Sequence, residues 1–176
     1  MGDGIPEYLK GSGCIIDSSI SFGTGLNVGN FCIIEKNVEL GNNVKISDFV
    51  KIPEGSKVED DVVIGSYVRL GKRCRIGNNV QIKCHAVISP EVIVGDNSFI
   101  GPNAILLHAT PDGKHKPCKI GSNVFVGTGV YVNPGVVIEN DIVVGAGAVV
   151  TKTLKEKGVY IGSPARLTRI PLSKNE

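Results

Sequence analysis

The chain has 176 residues, 41% hydrophobic and 20% charged, a composition that suits one globular domain with a sizeable core. Its 19 Lys and Arg against 17 Asp and Glu give a net charge of +2, which excludes a general electrostatic attraction to nucleic acid or to an anionic membrane. The N-terminus lacks a basic-then-apolar signal segment and no apolar run reaches the roughly 18 residues of a membrane helix, so we expect a cytoplasmic protein.

A six-residue period begins near Ile16 and runs through most of the chain. Large apolar residues recur at every sixth position as far as Leu106, and the period resumes from Ile120 to Val150. A smaller or β-branched residue follows four positions after each large one, and Gly, Asn and Asp are frequent between them, which is turn chemistry. A helix requires apolar spacings of three and four and a hairpin strand alternates by two, so this period predicts a solenoid of short strands and tight corners.

The pattern [LIV]-G-x-x-[STAVC]-x resembles the hexapeptide repeat of left-handed parallel β-helices, in which three hexapeptides form one triangular coil. The resemblance covers about residues 14–151 and implies about seven coils, stacked about 4.8 Å apart by parallel pairing. We therefore expect an all-β chain in three parts. These are an N-terminal lead at 1–13, the β-helix at 14–151 with an inserted loop at about 108–119, and a C-terminal tail at 152–176.

Residues 18 apart should lie above one another in such a fold, and one column changes character along the chain. It runs from aromatic residues through polar residues to glycine, in the order Phe31, Phe49, Tyr67, His85, Asn103, Gly129 and Gly147. The last two belong to it if the break in the period inserts eight residues into one hexapeptide. The aromatic part is suited to bury against a neighbouring subunit. His85 and Asn103, together with Tyr67, would then orient a substrate beside a slot that the glycines leave open.

The break in the period holds two of the three histidines, His108 and His115. Residues 110–119 are rich in Gly, Pro and Lys, and such an excursion is suited to cover an adjacent site. His108 lies at its root, and a histidine with an unperturbed pKa of about 6.5 is suited to act as a general base at neutral pH. A loop histidine with no task is the alternative. His115 lies farther out, and we expect its removal to have little effect.

Five segments, in order, resemble the signature of hexapeptide acyltransferases that use acetyl-CoA, above all the sugar acetyltransferases of the galactoside and maltose type: LLHATP, IGSNVFVG, VNPGVVI, VGAGAVVTK and IGSPARLTR. The resemblance implies a homotrimer with its sites between subunits, His108 as the catalytic base and the Thr128 N–H as the donor to the thioester oxygen. The positions that it assigns to CoA are Phe125 beside the active site, Ala146, Thr151 and Lys152 along the pantetheine arm, and Arg166 near the nucleotide.

Residue chemistry agrees with a CoA site in the C-terminal coils. Glycines allow a thin pantetheine arm to approach the backbone, and cationic side chains can pair with phosphates although the whole protein is not basic. The groups in question are Gly127, Gly129, Gly145 and Gly147 for the arm, and Lys152, Arg166 and Arg169 for the phosphates. Ordinary corner geometry and solvated tail charges are the alternatives.

Two departures from the galactoside and maltose enzymes bear on the acceptor. The repeat starts near Ile16 without their N-terminal helical segment, and His85 stands roughly where they carry an asparagine. These departures favour relatives that acetylate nucleotide-linked amino sugars for cell-surface polysaccharides. We therefore expect transfer of an acetyl group to a hydroxyl or amino group of a sugar.

Two other functions stand as alternatives. A zinc enzyme of the γ-carbonic anhydrase type shares the β-helix and uses three histidines, but the histidine spacings of 23 and 7 here do not resemble its pattern. A scaffold subunit has no need of the ordered acetyl-CoA segments, and an ice-binding solenoid should show columns of Thr. We expect no bound metal and no cysteine nucleophile, since the five cysteines lack CxxC spacing and neither Cys84 nor Cys118 shows a paired base.

Overall fold

The structure, a computed structural model, describes residues 9–168. It is built from short strands, most of them two residues long, whose first residue faces outward and whose second residue is buried. The strands, in chain order, are β1 (Ile15–Ile16), β2 (Ser21–Phe22), β3 (Asn27–Val28), β4 (Ile33–Ile34), β5 (Glu39–Leu40), β6 (Lys45–Ile46), β7 (Lys51–Ile52), β8 (Lys57–Val58), β9 (Val63–Ile64), β10 (Arg69–Leu70), β11 (Arg75–Ile76), β12 (Gln81–Ile82), β13 (Val87–Ile88), β14 (Ile93–Val94), β15 (Phe99–Ile100), β16 (Ile105–Leu106), β17 (Lys119–Ile120), β18 (Phe125–Val126), β19 (Tyr131–Val132), β20 (Val137–Ile138), β21 (Ile142–Val144), β22 (Val149–Val150), β23 (Gly158–Ile161) and β24 (Arg166–Leu167).

The strands form three sheets along a solenoid. Sheet 1 has the order β1-β4-β7-β10-β13-β16-β19-β22, sheet 2 has the order β2-β5-β8-β11-β14-β17-β20, and sheet 3 runs from β3 through β6, β9, β12, β15, β18 and β21 to β23 and β24. Neighbouring strands pair in parallel except β23 and β24, which are antiparallel. This is the parallel β-helix that the period predicts, consistent with the left-handed class that the resemblance implies. The eight strands of sheet 1 give it about eight coils, one more than expected.

The core consists of the two inward positions of each hexapeptide. Large apolar residues such as Ile64 and Ile82 are fully buried, and small residues such as Cys74 fill the corners. Ser98 also occupies a small corner position, where its buried hydroxyl donates to the carbonyl oxygen of Gly121 at 2.9 Å. Both inward positions of the repeat are therefore confirmed.

Three edges join the sheets, and each has its own chemistry. The edge between sheets 2 and 3, which we call the Asn/Asp edge, stacks amides and carboxylates of successive coils: Asn43 donates to Asp61 at 3.0 Å, and Asn79 donates to Asn97 at 3.0 Å. The aromatic edge lies between sheets 3 and 1 and contains the column from Phe31 to Gly147. The loop edge lies between sheets 1 and 2 and contains the excursion at 107–118.

The pairing register of the strands gives the length of the insertion between β16 and β17. Val87 pairs with Ile105, 18 residues later, whereas Ile105 pairs with Tyr131, 26 residues later. Eight extra residues therefore enter between β16 and β17, and the ladders resume in parallel beyond them. This offset is the one that the sequence period requires if Gly129 and Gly147 are to continue the column.

Candidate active site

The excursion at 107–118 is a short two-armed loop held at its root by the backbone. Ala109 and His115 form an antiparallel bridge, and the N–H of Lys116 donates to the carbonyl oxygen of His108 at 2.5 Å. The N–H of Cys118 donates to the carbonyl oxygen of Leu107 at 3.1 Å. These bonds fix the backbone of His108, so its ring is directed from a rigid coil rather than from a loop tip.

His108 faces a groove of about 340 Å³ on sheet 1 beside the loop edge. Burial lowers the pKa of His108 below its ordinary value and positive charge on His115 lowers it further, while the carboxylate of Glu91 acts in the opposite direction. A lowered pKa keeps the imidazole neutral at neutral pH, the form that can accept a proton.

The groove carries more cationic than anionic side chains. Lys51 pairs with Glu35 at 2.9 Å, and Lys72 lies 3.5 Å from a carboxylate oxygen of Glu54. Arg69 lines the same groove, and within residues 9–168 its guanidinium has neither an ion pair nor a hydrogen bond. The groove therefore offers an unpaired bidentate donor to an anionic group bound near His108.

The aromatic edge shows the predicted column in full. Its rings stack face to face, with centroids 5.2 Å apart for Phe31 and Phe49, 4.8 Å for Phe49 and Tyr67, and 4.9 Å for Tyr67 and His85. Every member has a positive φ: Phe31, Phe49, Tyr67, His85, Asn103, Gly129 and Gly147. A Cβ atom added at Gly129 or Gly147 would meet nothing within 4 Å, so open space continues the column above Asn103.

The predicted site residues fall into two groups on opposite edges of sheet 1. His108 is on the loop edge, whereas His85 and Asn103 are on the aromatic edge. Because an extended residue advances about 3.3 Å, the five-residue path from Asn103 across β16 to His108 spans about 16 Å. One chain therefore does not bring the predicted base together with the predicted acceptor contacts.

The predicted CoA contacts are divided in the same way. Gly127, Thr128, Gly145 and Ala146 lie at the aromatic edge, and Thr151 and Lys152 lie at the loop edge, above the excursion. Phe125 faces outward from sheet 3, where its ring stacks on Phe99 at 4.8 Å. Arg166 is exposed on β24. Arg169 lies outside the described residues.

Two of the four predicted CoA glycines have a packing reason of their own. A Cβ at Gly127 would lie 2.7 Å from the backbone nitrogen of Ala146, and one at Gly145 would lie 2.8 Å from Ile161. Close approach of the next coil's backbone therefore requires glycine at Gly127, whereas a Cβ at Gly145 would require the side chain of Ile161 on β23 to shift. Only the open positions, Gly129 and Gly147, lack such a neighbour and mark free space.

The backbone N–H of Thr128 is available for a ligand. At equivalent corner positions the N–H donates to a side chain of the next coil, as from Asn30 to Asp48 at 2.6 Å and from Ser122 to Asn140 at 2.8 Å. Above Thr128 stands Ala146, whose side chain has no acceptor, and no acceptor for the Thr128 N–H is found among residues 9–168. Thr128 thus presents an unused donor next to the slot.

The sequence interpretation did not identify several residues that lie around His108. Glu91 lies on the loop edge one coil before the excursion, and Arg69 lies among the outward residues of sheet 1. Reading every 18-residue column, and not the aromatic one alone, would have placed Arg69 and Glu91 beside the break. His115 had no such signal, because its position depends on the path of the loop.

The histidines and cysteines do not form a common centre. His85 lies on the aromatic edge, apart from His108 and His115, and no cluster of three or more His, Cys, Asp or Glu side chains in the described part of the chain is placed to hold a metal ion. Cys84 is exposed and Cys118 is buried, and burial raises the pKa of Cys118 to about 12. Between residues 9 and 168, no helix meets the length and hydropathy of a membrane span.

The repeat matches the family described as bacterial transferase hexapeptide (six repeats), over residues 37–72, 73–108 and 117–152. The gap between the second and third matched segments coincides with the loop that follows His108. No curated protein sequence matches the chain significantly.

Solved structures with the same fold include several acyltransferases. A variant of perosamine N-acetyltransferase from Caulobacter crescentus, in complex with CoA and GDP-perosamine, superposes with a TM-score of 0.57 at 22% identity over 89% of this chain. LpxA from Acinetobacter baumannii gives 0.64 at 20% identity over 91% of this chain and 73% of its own. The polySia-specific acetyltransferase NeuO gives 0.58 at 20% identity over 94% of this chain and 88% of its own. The present chain spans 53% of the perosamine enzyme.

Proposed function

The chain belongs to the bacterial transferase hexapeptide family, and from that premise we propose that it transfers an acetyl group from acetyl-CoA to a hydroxyl or amino group of a sugar. One observation carries the proposal: the single departure from the repeat holds a half-buried histidine, His108, whose pKa is lowered and which faces a groove. A structural neighbour in complex with CoA and a nucleotide sugar supports the choice of donor and acceptor. A CoA thioester as donor also favours a cytoplasmic location.

The proposed reaction is a direct transfer in two steps, the formation and the collapse of a tetrahedral intermediate, without a covalent acyl-enzyme. His108 accepts the proton of the acceptor hydroxyl or amine as that group attacks the thioester carbonyl carbon. The carbonyl oxygen gains negative charge and accepts a hydrogen bond from the Thr128 N–H, an interaction often worth roughly 3 kcal/mol. The carbon–sulfur bond then breaks, and the CoA sulfur takes the proton from His108. The products are the acetylated sugar and free CoA.

We further propose a homotrimer in which each site is shared by two copies. His108 and the Thr128 donor lie on opposite edges of sheet 1, so a site that uses both needs the loop edge of one copy and the aromatic edge of the next. Such a contact joins two different surfaces, and it closes as a ring when the rotation is three-fold. Most outward residues of sheet 1 between these edges are apolar, which suits burial between copies: Ile15, Ile33, Val87, Ile105, Tyr131 and Val149.

Within this arrangement the acceptor would lie between His85 and Asn103 of one copy and the groove of the next, with Tyr67 at the margin. The unpaired guanidinium of Arg69 favours an acceptor that carries a phosphate or another anionic group, and a nucleotide-linked amino sugar meets this requirement. The CoA arm would follow the slot beside Gly129, Ala146 and Gly147. Its nucleotide would lie toward Lys152 and Arg166.

The direct test supplies acetyl-CoA together with a panel of nucleotide-linked amino sugars and simple sugars, and follows the release of free thiol. We expect thiol release that depends on the acceptor, with an acetylated product of the corresponding mass. The His108→Ala variant serves as the control for thioester hydrolysis. Absence of acceptor-dependent thiol release across the panel, or equal rates with His108→Ala, would refute the proposed function.

A further inference from the structure

His115 packs directly against the proposed base. The antiparallel bridge between Ala109 and His115 turns the second arm of the loop back over the first. As a result the rings of His108 and His115 meet edge to face, with centroids 5.2 Å apart and an interplanar angle of 69°. The sequence alone placed His115 farther out in the loop and gave no sign of this contact.

Glu91, in the coil below the loop, anchors His115. The Nδ1 atom of His115 lies 3.4 Å from Oε2 of Glu91. The other carboxylate oxygen, Oε1, accepts a hydrogen bond from Nε of Arg73 at 2.9 Å and a second one from Nη2. Glu91 and Arg73 lie above one another on the loop edge, both with positive φ, so a rigid coil fixes the carboxylate. A chain of contacts thus runs from Arg73 through Glu91 and His115 to His108.

The other charged groups near this pair are paired with one another or line the groove. Asp112 and Lys114 in the loop pair with each other at 2.7 Å. Arg69 and Lys72 line the groove that His108 faces. The carboxylate of Glu54 lies on the loop edge two coils below Glu91, where it pairs with Lys72 at 3.5 Å. Glu91 is therefore the anionic group in position to hold His115.

We propose that His115 is a positioning residue for His108: held by Glu91, its ring packs edge-on against the His108 ring and sets the orientation and the charge environment of that imidazole. The effect on catalysis rests on the proposed function, whereas the coupling of the two rings does not. Glu91 affects the orientation of the His108 ring indirectly, because it holds His115 in place.

The two neighbours of His108 act on its protonation in opposite directions. Positive charge on His115 lowers the pKa of His108, and negative charge on Glu91 raises it. Removing His115 also leaves Glu91 without its partner in the loop. His115→Ala should therefore raise the pKa of His108, and Glu91→Gln should lower it. A merely structural role for His115 would produce no such pair of opposite shifts.

The first measurement is an NMR titration of the full chain with labelled histidine. The chain has three histidines, so each imidazole signal is assigned from the variant that lacks it. We expect the His108 midpoint to move upward in His115→Ala and downward in Glu91→Gln. Lys114→Ala, which removes a charge from the same loop, and Glu54→Gln, which removes one from the same edge, should leave it in place. An unchanged His108 midpoint in both test variants would overturn the proposal.

The second measurement is the acetyl-transfer rate as a function of pH. Loss of the ring contact in His115→Ala should lower kcat between about 10-fold and 10²-fold, the scale of a small misplacement of a catalytic group, with the KM for acetyl-CoA unchanged. His115→Phe keeps a ring whose edge can pack against His108, and it should restore most of kcat. It does not restore the charge of His115. Equal loss in both variants would refute the role of the ring contact. Shifted NMR midpoints in a protein without transferase activity would instead refute the proposed function.

Discussion

At the residue scale, the chemistry depends on a histidine whose backbone belongs to the coil and whose side chain faces the groove. His108→Ala removes the base while the bonds from Lys116 and Cys118 still close the loop root, because both use backbone atoms. We expect kcat to fall by about 10² or more, with the melting temperature and CoA binding nearly unchanged. Steady-state kinetics, thermal unfolding and calorimetric CoA binding test this. The matched control is Lys114→Ala, and comparable losses in the two variants would contradict the assignment of His108.

The protonation of His108 predicts the pH profile. Only the neutral imidazole accepts a proton, so kcat/KM should rise with pH through the pKa of His108 and level off above it. Burial and the positive charge of His115 lower that pKa, and the midpoint of the acid limb should therefore lie below the usual value of about 6.5. The profile is measured at substrate concentrations well below KM, where the rate reports the protonation of the free enzyme. If the acceptor is an amine, the rate is corrected for the titration of that amine. A midpoint above the usual histidine range would contradict the environment described for His108.

At the element scale, the loop is an eight-residue insertion into an otherwise regular corner. Cys118 is buried like Cys74 in the same column, so the corner can close without the loop. Residues at the position of Pro117 have positive φ in other coils, as in Arg73, Glu91 and Gly135, and proline cannot adopt that conformation. Deletion of residues 109–116 combined with Pro117→Gly should therefore restore the period.

We expect this deletion variant to fold as a β-helix with its melting temperature nearly unchanged, but to lose most acetyl transfer, since His108 then lacks both His115 and the cover of the loop. Circular dichroism, thermal unfolding and the thiol assay test the two halves of this expectation. The same deletion with Pro117 retained is the control, and it should be less stable. Full activity in the folded deletion variant would show that the loop has no part in the reaction.

The aromatic edge gives a second prediction at this scale, for the slot beside Gly147. The column accommodates Phe31 and Phe49 at positive φ, so Gly147→Phe should fold and place a ring in space that is now open. The proposed CoA arm would then be obstructed, and the KM for acetyl-CoA should rise at least about 10-fold, as for a ligand that loses about 1.4 kcal/mol of binding free energy. Asn37→Phe introduces the same ring at a positive φ on the loop edge, far from the slot, as a control. An unchanged KM for acetyl-CoA in a folded Gly147→Phe variant would show that CoA does not bind in the slot.

At the scale of the whole molecule, the separation of the two groups of site residues predicts a shared site. A trimer that mixes His108→Ala subunits with Gly147→Phe subunits contains one interface at which both edges are intact. Random mixing of equal amounts should therefore leave about a quarter of the sites intact, whereas at acetyl-CoA concentrations well below KM each variant alone should retain at most about a tenth of the rate. Co-expression with two affinity tags, mass measurement and the thiol assay provide the test. A monomer with full activity, or the absence of any recovered activity in mixed trimers, would refute the shared site.

The amino-acid sequence by itself determined the fold and its axial register. Each hexapeptide specifies its own strand and corner, and each coil contacts only its neighbours, so the pattern of Ile64 and Ile82 was sufficient to place the core. The eight-residue offset likewise follows from counting residues between the two parts of the period, and it places Gly129 and Gly147 above Asn103. The same counting located His108 at the root of the insertion.

Tertiary structure alone decided what surrounds His108. The path of the loop is not periodic: it depends on the bridge from Ala109 to His115 and on the bond from Lys116 to the carbonyl of His108, which bring the second histidine back onto the first. The anchor of that histidine, Glu91, comes from the coil below. A repeat specifies which residues stack along the solenoid axis. The loop has no repeat, so the residues that it contacts depend on the free energy of its packing against the coils in three dimensions.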